Sequence, residues 1–237
     1  MIDYGARLRI GVILPSGNVI AEPQIRAMTP PGVAFYVTRL ALRGSSEAEL
    51  LRMMEGVESA AQLLADAEVD LIVFHCTAVT TFSPASGTAI RRRIEAATGI
   101  CGLVTSDALD AAFQALGLRR IALLSPYIPA VHAREIAFVR GLGAAVTSDA
   151  ALGVNTNAEM GRLTPETLAA WVLGHRDAQA DGYFVSCTAI RTAELIETLE
   201  AQLERPMITS NQAMVWHALR QGGVSAALEG FGRLMRL

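Results

Sequence analysis

Val69-Asp70-Leu71-Ile72-Val73-Phe74-His75 runs directly into Cys76-Thr77-Ala78, and Ala180-Asp181-Gly182-Tyr183-Phe184-Val185-Ser186 runs into Cys187-Thr188-Ala189. Each is a short, mainly apolar segment of strand length that stops at a small polar tripeptide, the pattern of a buried parallel strand and its exit loop. The two cysteines lie 111 residues apart. The same offset lays Arg9-Ile10-Gly11-Val12-Ile13-Leu14-Pro15 over Arg120-Ile121-Ala122-Leu123-Leu124-Ser125-Pro126. Two strand patterns in one register imply an internal duplication. Val104-Thr105-Ser106-Asp107 matches Ile208-Thr209-Ser210-Asn211 at a shorter offset, so the second half is expected to be more compact between those points.

Outward from these segments, strands and helices alternate. Leu8 to Leu14 reads as a strand ending in the turn Pro15-Ser16-Gly17-Asn18, Glu22 to Met28 as a short helix, and Val33 to Leu40 as a second strand after Pro30-Pro31-Gly32. Ser45-Ser46-Glu47-Ala48-Glu49 opens a helix whose apolar positions run to Leu64. A helix starting at Ser83-Pro84 carries Arg91 to Arg93 on a solvated face, and Gly102 to Val104 forms the fourth strand. The cycle then repeats, through a helix from Ser106 to Leu116, a strand from Arg119, a helix over Val131 to Leu142, a weak strand over Ala144 to Ser148 and a helix from Pro165. Helix Thr192 to Gln202, strand Met207 to Thr209 and a last helix from Ala213 follow the second cysteine strand. Such alternation predicts an α/β protein of two pseudo-symmetric halves, each a roughly four-stranded parallel sheet flanked by helices. The halves are read as 1–105 plus 213–237 and 106–212, with the helices from Ser106 and Ser210 placed to cross between them. Ligands of open α/β sheets sit at strand C-terminal ends, so the cleft between the halves is the expected site.

The composition of the 237 residues narrows the chemistry: 51% are hydrophobic, only 5% are aromatic, and the net charge is −3. No basic run provides a footprint for nucleic acid or an anionic membrane, so neither partner is expected. The apolar runs are too short to span a bilayer, and Met1-Ile2-Asp3-Tyr4-Gly5 lacks the apolar core of a signal peptide, so a cytoplasmic location is expected. The chain contains no lysine. That excludes a pyridoxal-phosphate Schiff base and a Walker A phosphate loop. Three cysteines without close Cys-x-x-Cys pairing argue against both a disulfide framework and a structural zinc site.

Two thiols at equivalent strand ends can act as nucleophile and acid, or as base and acid, on opposite faces of a small substrate. Loop amides after the strands are expected to lower a thiol pKa and to hold carboxylates. Cys101 has no repeat partner, sits in an apolar stretch and is expected in the core. Strand alternation turns His75 away from Cys76, so it reads as a core histidine or one supporting the site from behind. His132, His175 and His217 read as surface or packing residues. Asn18 and Tyr127 follow matching strands and can donate to a carboxylate, as can Asn155 or Asn157 from another loop.

Gly11 to Asn18, His75-Cys76-Thr77, Arg119 to Tyr127, Asn157 with Gly161-Arg162, and Val185 to Thr188 occur in an order and spacing that resemble the aspartate/glutamate racemase superfamily. Within it, the match is to the branch of maleate cis-trans isomerases and arylmalonate decarboxylase. The resemblance spans essentially the whole chain. It implies two Rossmann-like halves, a cofactor-independent enzyme without a metal, a small carboxylate substrate and a homo-oligomer. It also implies catalysis by Cys76 and Cys187, with Asn18, Tyr127, Asn157, Thr77 and Thr188 at the substrate. In that branch the decarboxylase has Gly at the first cysteine position, whereas isomerases and racemases keep both. Here both are Cys, which favours isomerisation of a cis-dicarboxylate such as maleate; Gly17, where isomerases tend to have Ser, is a departure. A racemase or a decarboxylase is the alternative, and a non-catalytic small-molecule binder is the alternative of another class.

Overall fold

Strand β1 (Leu8–Pro15) is buried at seven of its eight positions because it pairs in parallel on both edges, with β2 (Val33–Leu40) and β3 (Leu71–Phe74). β3 then pairs with β4 (Cys101–Val104), giving the order β2-β1-β3-β4. The second sheet repeats it as β6-β5-β7-β8, built from β5 (Arg120–Tyr127), β6 (Ala145–Val154), β7 (Gly182–Val185) and β8 (Met207–Thr209). The computed structural model describes residues 2–237. Between the strands lie α1 (Ala21–Ala27), α2 (Glu47–Glu55), α3 (Val57–Ala65), α4 (Thr77–Thr80), α5 (Ser86–Thr98), α6 (Thr105–Ala115), α7 (Pro129–Gly141), α8 (Asn157–Arg162), α9 (Pro165–Gly174) and α10 (Ile196–Leu203), and α11 (Ser210–Gln221) follows β8. Among the described residues no helix is long and apolar enough to cross a membrane.

The duplication is visible bond by bond. Asp70 accepts from the Arg9 N–H at 2.8 Å, and Asp181 accepts from the Arg120 N–H at 2.8 Å. At the other end of the same strand pairs the His75 N–H donates to the Ile13 carbonyl and the Ser186 N–H to that of Leu124. Both cysteines therefore leave their sheets at the same height. α6 follows the first sheet yet touches β8, and α11 follows the second yet packs on α1 and α6, so the two helices tie the halves together.

Several expectations are corrected. The helix expected over 46–64 is two helices meeting at Gly56, where a Cβ would come within 2.6 Å of a Leu40 methyl. The weak strand is ten residues long and lies at a sheet edge; its small and polar residues alternate half-buried and exposed positions, which dilutes the apolar signal. The last helix starts at Ser210, not Ala213, because Thr209 and Gln212 form a capping box there. Cys101 is exposed rather than in the core, since it opens the edge strand β4. Of the three arginines, Arg91 and Arg93 lie on the flank of α5 and pair with Asp107 and Glu58, while Arg92 is exposed.

Candidate active site

Cys76 ends β3 in ordinary extended backbone, φ −153°, and Thr77 begins the single-turn helix α4. The N–H groups of Ala78 and Val79 turn back toward its sulfur. Cys187 ends β7 differently, with φ +107°, a region that L-residues rarely adopt. Its sulfur accepts the Ala189 N–H at 3.2 Å and meets Met160 Sδ at 3.6 Å, and the Tyr127 hydroxyl nearby lowers its pKa. The two thiols are 5% and 2% exposed and share one apolar cluster with Tyr127, Val131, Met160 and Ile190.

Burial pushes both the Cys76 and Cys187 thiols up to about 12. The loop amides do lower them, as the sequence suggests, but loss of solvation outweighs that effect. Each thiol also feels the nearby Glu135 charge, which raises it further. Tyr127 is raised well above its usual range by the same burial.

A buried polar network lies behind the thiols and joins the halves. His75 Nε2 meets Asn211 Oδ1 at 2.8 Å and its Nδ1 meets Thr105 Oγ1 at 3.0 Å. An amide oxygen only accepts, so Nε2 carries the proton. Burial holds the ring neutral by pushing it down to about 4. Asn211 Nδ2 donates to Gln24 Oε1 and to the Thr188 carbonyl. Thr77 Oγ1 donates to Ser210 Oγ, which also accepts the Cys187 N–H.

Asn18 sits in this network rather than free in a cleft. Its Nδ2 donates to Thr188 O at 3.1 Å and Oγ1 at 2.9 Å, while its Oδ1 accepts from the N–H groups of Ile20 and Ala21 at the start of α1. Asn157 is half-buried; its Nδ2 donates to the Leu42 carbonyl and its N–H to that of Arg43. Ser45 bonds to Asn155, and Gly44 bridges Thr156. The loop after β2 and the loop before α8 thus clasp one another across the halves. Gly17 permits this approach: a Cβ there would stand 3.1 Å from the Leu42 carbonyl and 3.3 Å from Asn157.

Of the sequence candidates, Cys76, Cys187, Tyr127, Asn18, Thr77 and Thr188 come together, and Asn157 stands in the clasp. His75 supports the site from behind. His132 is buried, bonding Ser125 and Asp149, whereas His175 is exposed near a helix end. Sequence reasoning missed Glu135, Met160, Ser210 and Asn211. Ser210 and Asn211 fall in the segment that repeats Ser106-Asp107, which was a usable signal; the other two stand on helices with no repeat signature. A cleft of about 250 Å³ opens between Thr81–Pro84 and α7.

Two matching α/β halves, each presenting a cysteine at the corresponding strand end, define the cysteine-pair architecture of the aspartate/glutamate racemase superfamily. The arylmalonate decarboxylase family model matches residues 10–235. The chain belongs to that family. Similar proteins include maleate isomerase of Nocardia farcinica, 28% identical over 96% of this chain and 95% of its own, and arylmalonate decarboxylase of Bordetella bronchiseptica, 28% identical over 95% of each. Among solved structures, a cysteine-to-serine mutant of the Nocardia farcinica maleate cis-trans isomerase holding a covalently bound succinylcysteine intermediate superimposes with a TM-score of 0.91. It is 25% identical and covers 97% of this chain and 98% of that one.

Proposed function

We propose that this protein is a cysteine-based cis-trans isomerase of a small cis-dicarboxylate of the maleate type. The observation that carries the reading is the pair of thiols, each at its strand end, in one sealed cluster. In the proposed reaction Cys76 first gives its proton to water while the site is open, and its thiolate then attacks one olefinic carbon, forming a C–S bond as the π pair shifts toward the other carbon. That carbon takes the proton of Cys187, whose S–H bond breaks. The C–C bond, now single, rotates. Cys187 then removes a proton, the double bond reforms and the C–S bond breaks, releasing the trans isomer and restoring both sulfurs. Burial holds both thiols at about 12, so Cys187 keeps its proton at neutral pH, which suits it to the acid role, and Cys76 reacts through the small fraction that has ionised.

The carboxylates are assigned to neutral donors. The hydroxyl of Thr77 and the amide of Asn18 are already paired within the protein, so these residues act in the proposal by shaping the exit loops. The N–H groups of Thr77 and Thr188, with Tyr127 and Asn157, are the proposed direct contacts. Substrate reaches the thiols by parting of the clasp. Residues 1–105 with 213–237, and 106–212, are the proposed halves of the enzyme.

The test is conversion of maleate to fumarate, run beside an arylmalonate and amino-acid enantiomers on one preparation. Wild type is expected to isomerise maleate, and Cys76→Ala and Cys187→Ala each to abolish turnover. Decarboxylation or racemisation without fumarate would assign a different reaction to the same thiols. Maleate binding that survives both substitutions with no turnover in the wild type would leave a binder.

A further inference from the structure

Glu135 is fully buried on α7, and its charge reaches Cys76, Cys187 and Tyr127. Its Oε1 accepts from Ser186 Oγ at 2.7 Å, and Ser186 immediately precedes Cys187. Its Oε2 is buried with no hydrogen-bond partner. Val131, one turn earlier on α7, belongs to the apolar cluster that holds both thiols and Tyr127. A buried carboxyl with one neutral donor and no cation is costly unless its position is used.

The surrounding groups leave its charge uncompensated. β5 contributes Tyr127, the ends of β3 and β7 contribute Cys76 and Cys187, and β6 contributes Asp149, which His132 engages instead. Arg134 turns outward to Glu47. Among the described residues no basic side chain bonds Glu135.

We propose that Glu135 is a positioning residue of this site whose charge state governs how readily both thiols ionise. The inference rests on reading Cys76 and Cys187 as the reacting groups. A carboxylate here raises the cost of a thiolate beside it, whereas a neutral carboxyl leaves the thiol free to ionise. Burial pushes Glu135 up to about 8, so its charge changes within the working range of pH. Once charged, Glu135 adds to the cost of a thiolate at either sulfur.

The experiment uses ligand-free protein. Alkylation by iodoacetamide is followed across pH, with peptide mass spectrometry resolving Cys76, Cys187 and the exposed Cys101. In the wild type the rates at Cys76 and Cys187 are expected to climb with pH and then bend where Glu135 ionises, while Cys101 shows no such bend. In Glu135→Gln the bend disappears and both buried thiols react several-fold faster than wild type on its alkaline side. Ser186→Ala removes the one donor to the carboxylate and moves the bend to higher pH. A Glu135→Gln profile that superimposes on wild type overturns the proposal. Should that variant fail to fold, an unmoved bend in Ser186→Ala does the same. No substrate is involved, so a negative maleate assay leaves the result standing, and an unchanged profile overturns it even where maleate turns over.

Discussion

Cys187 and Cys76 occupy the same sequence context yet not the same backbone. Cys187 has φ +107°, where a side chain costs on the order of 1–3 kcal/mol. The surrounding bonds that impose it are the Ser210 hydroxyl on its N–H and the Ala189 N–H on its sulfur. Glycine adopts such a conformation freely, so Cys187→Gly is expected to be more stable than Cys187→Ala by about 1 kcal/mol, the reverse of the usual order. Urea denaturation of the two inactive variants measures it, and equal midpoints would remove the strain argument. None of this was legible in the tripeptide, because one of the bonds that imposes the strain comes from Ser210, which is remote in sequence. The pair itself was legible: duplication marks both positions without any coordinates.

At the level of elements, the two loops of the clasp are the gate through which the proposed substrate enters. Asn155→Ala removes the Oδ1 acceptor used by both the N–H and the hydroxyl of Ser45. At roughly 1 kcal/mol per bond, opening should become about 5–30 times more frequent. The expected result is faster alkylation of Cys76 and Cys187 at fixed pH, with Cys101 unchanged. The alternation of strands and helices was readable because each central strand is an apolar run bounded by turn residues. Single-turn α4 is too short to show a helical period. The edge strand β6 spends its residues on solvent as much as on the core, and Gly56 interrupts a helical pattern without disturbing its spacing. The clasp joins residues more than 100 positions apart and leaves no local signal.

The molecule as a whole carries two buried groups with opposite pH slopes. His75 is pushed down from 6.5 to about 4, so the stability it lends is present above 6.5 and is lost as pH falls through 4. Glu135 is pushed up from 4.5 to about 8, so its contribution is present below 4.5 and is lost as pH rises through 8. Between 4.5 and 6.5 the two slopes oppose each other. From about pH 6.5 to about 8 only the Glu135 slope remains, and wild-type stability should decline with rising pH while Glu135→Gln stays flatter. Urea midpoints at the two ends of that window decide it; parallel curves would contradict the assignment.

The sealed thiols also have an isotopic consequence. With Cys187 only 2% exposed behind a closed clasp, the hydrogen it gives to carbon and takes back has no water to exchange with during a turnover. In the proposed reaction run in D2O, the fumarate formed should therefore contain less deuterium at carbon than the solvent does. Loosening the clasp with Asn155→Ala should raise that content. The label in the product thus records how often the protein opens between arrival and release.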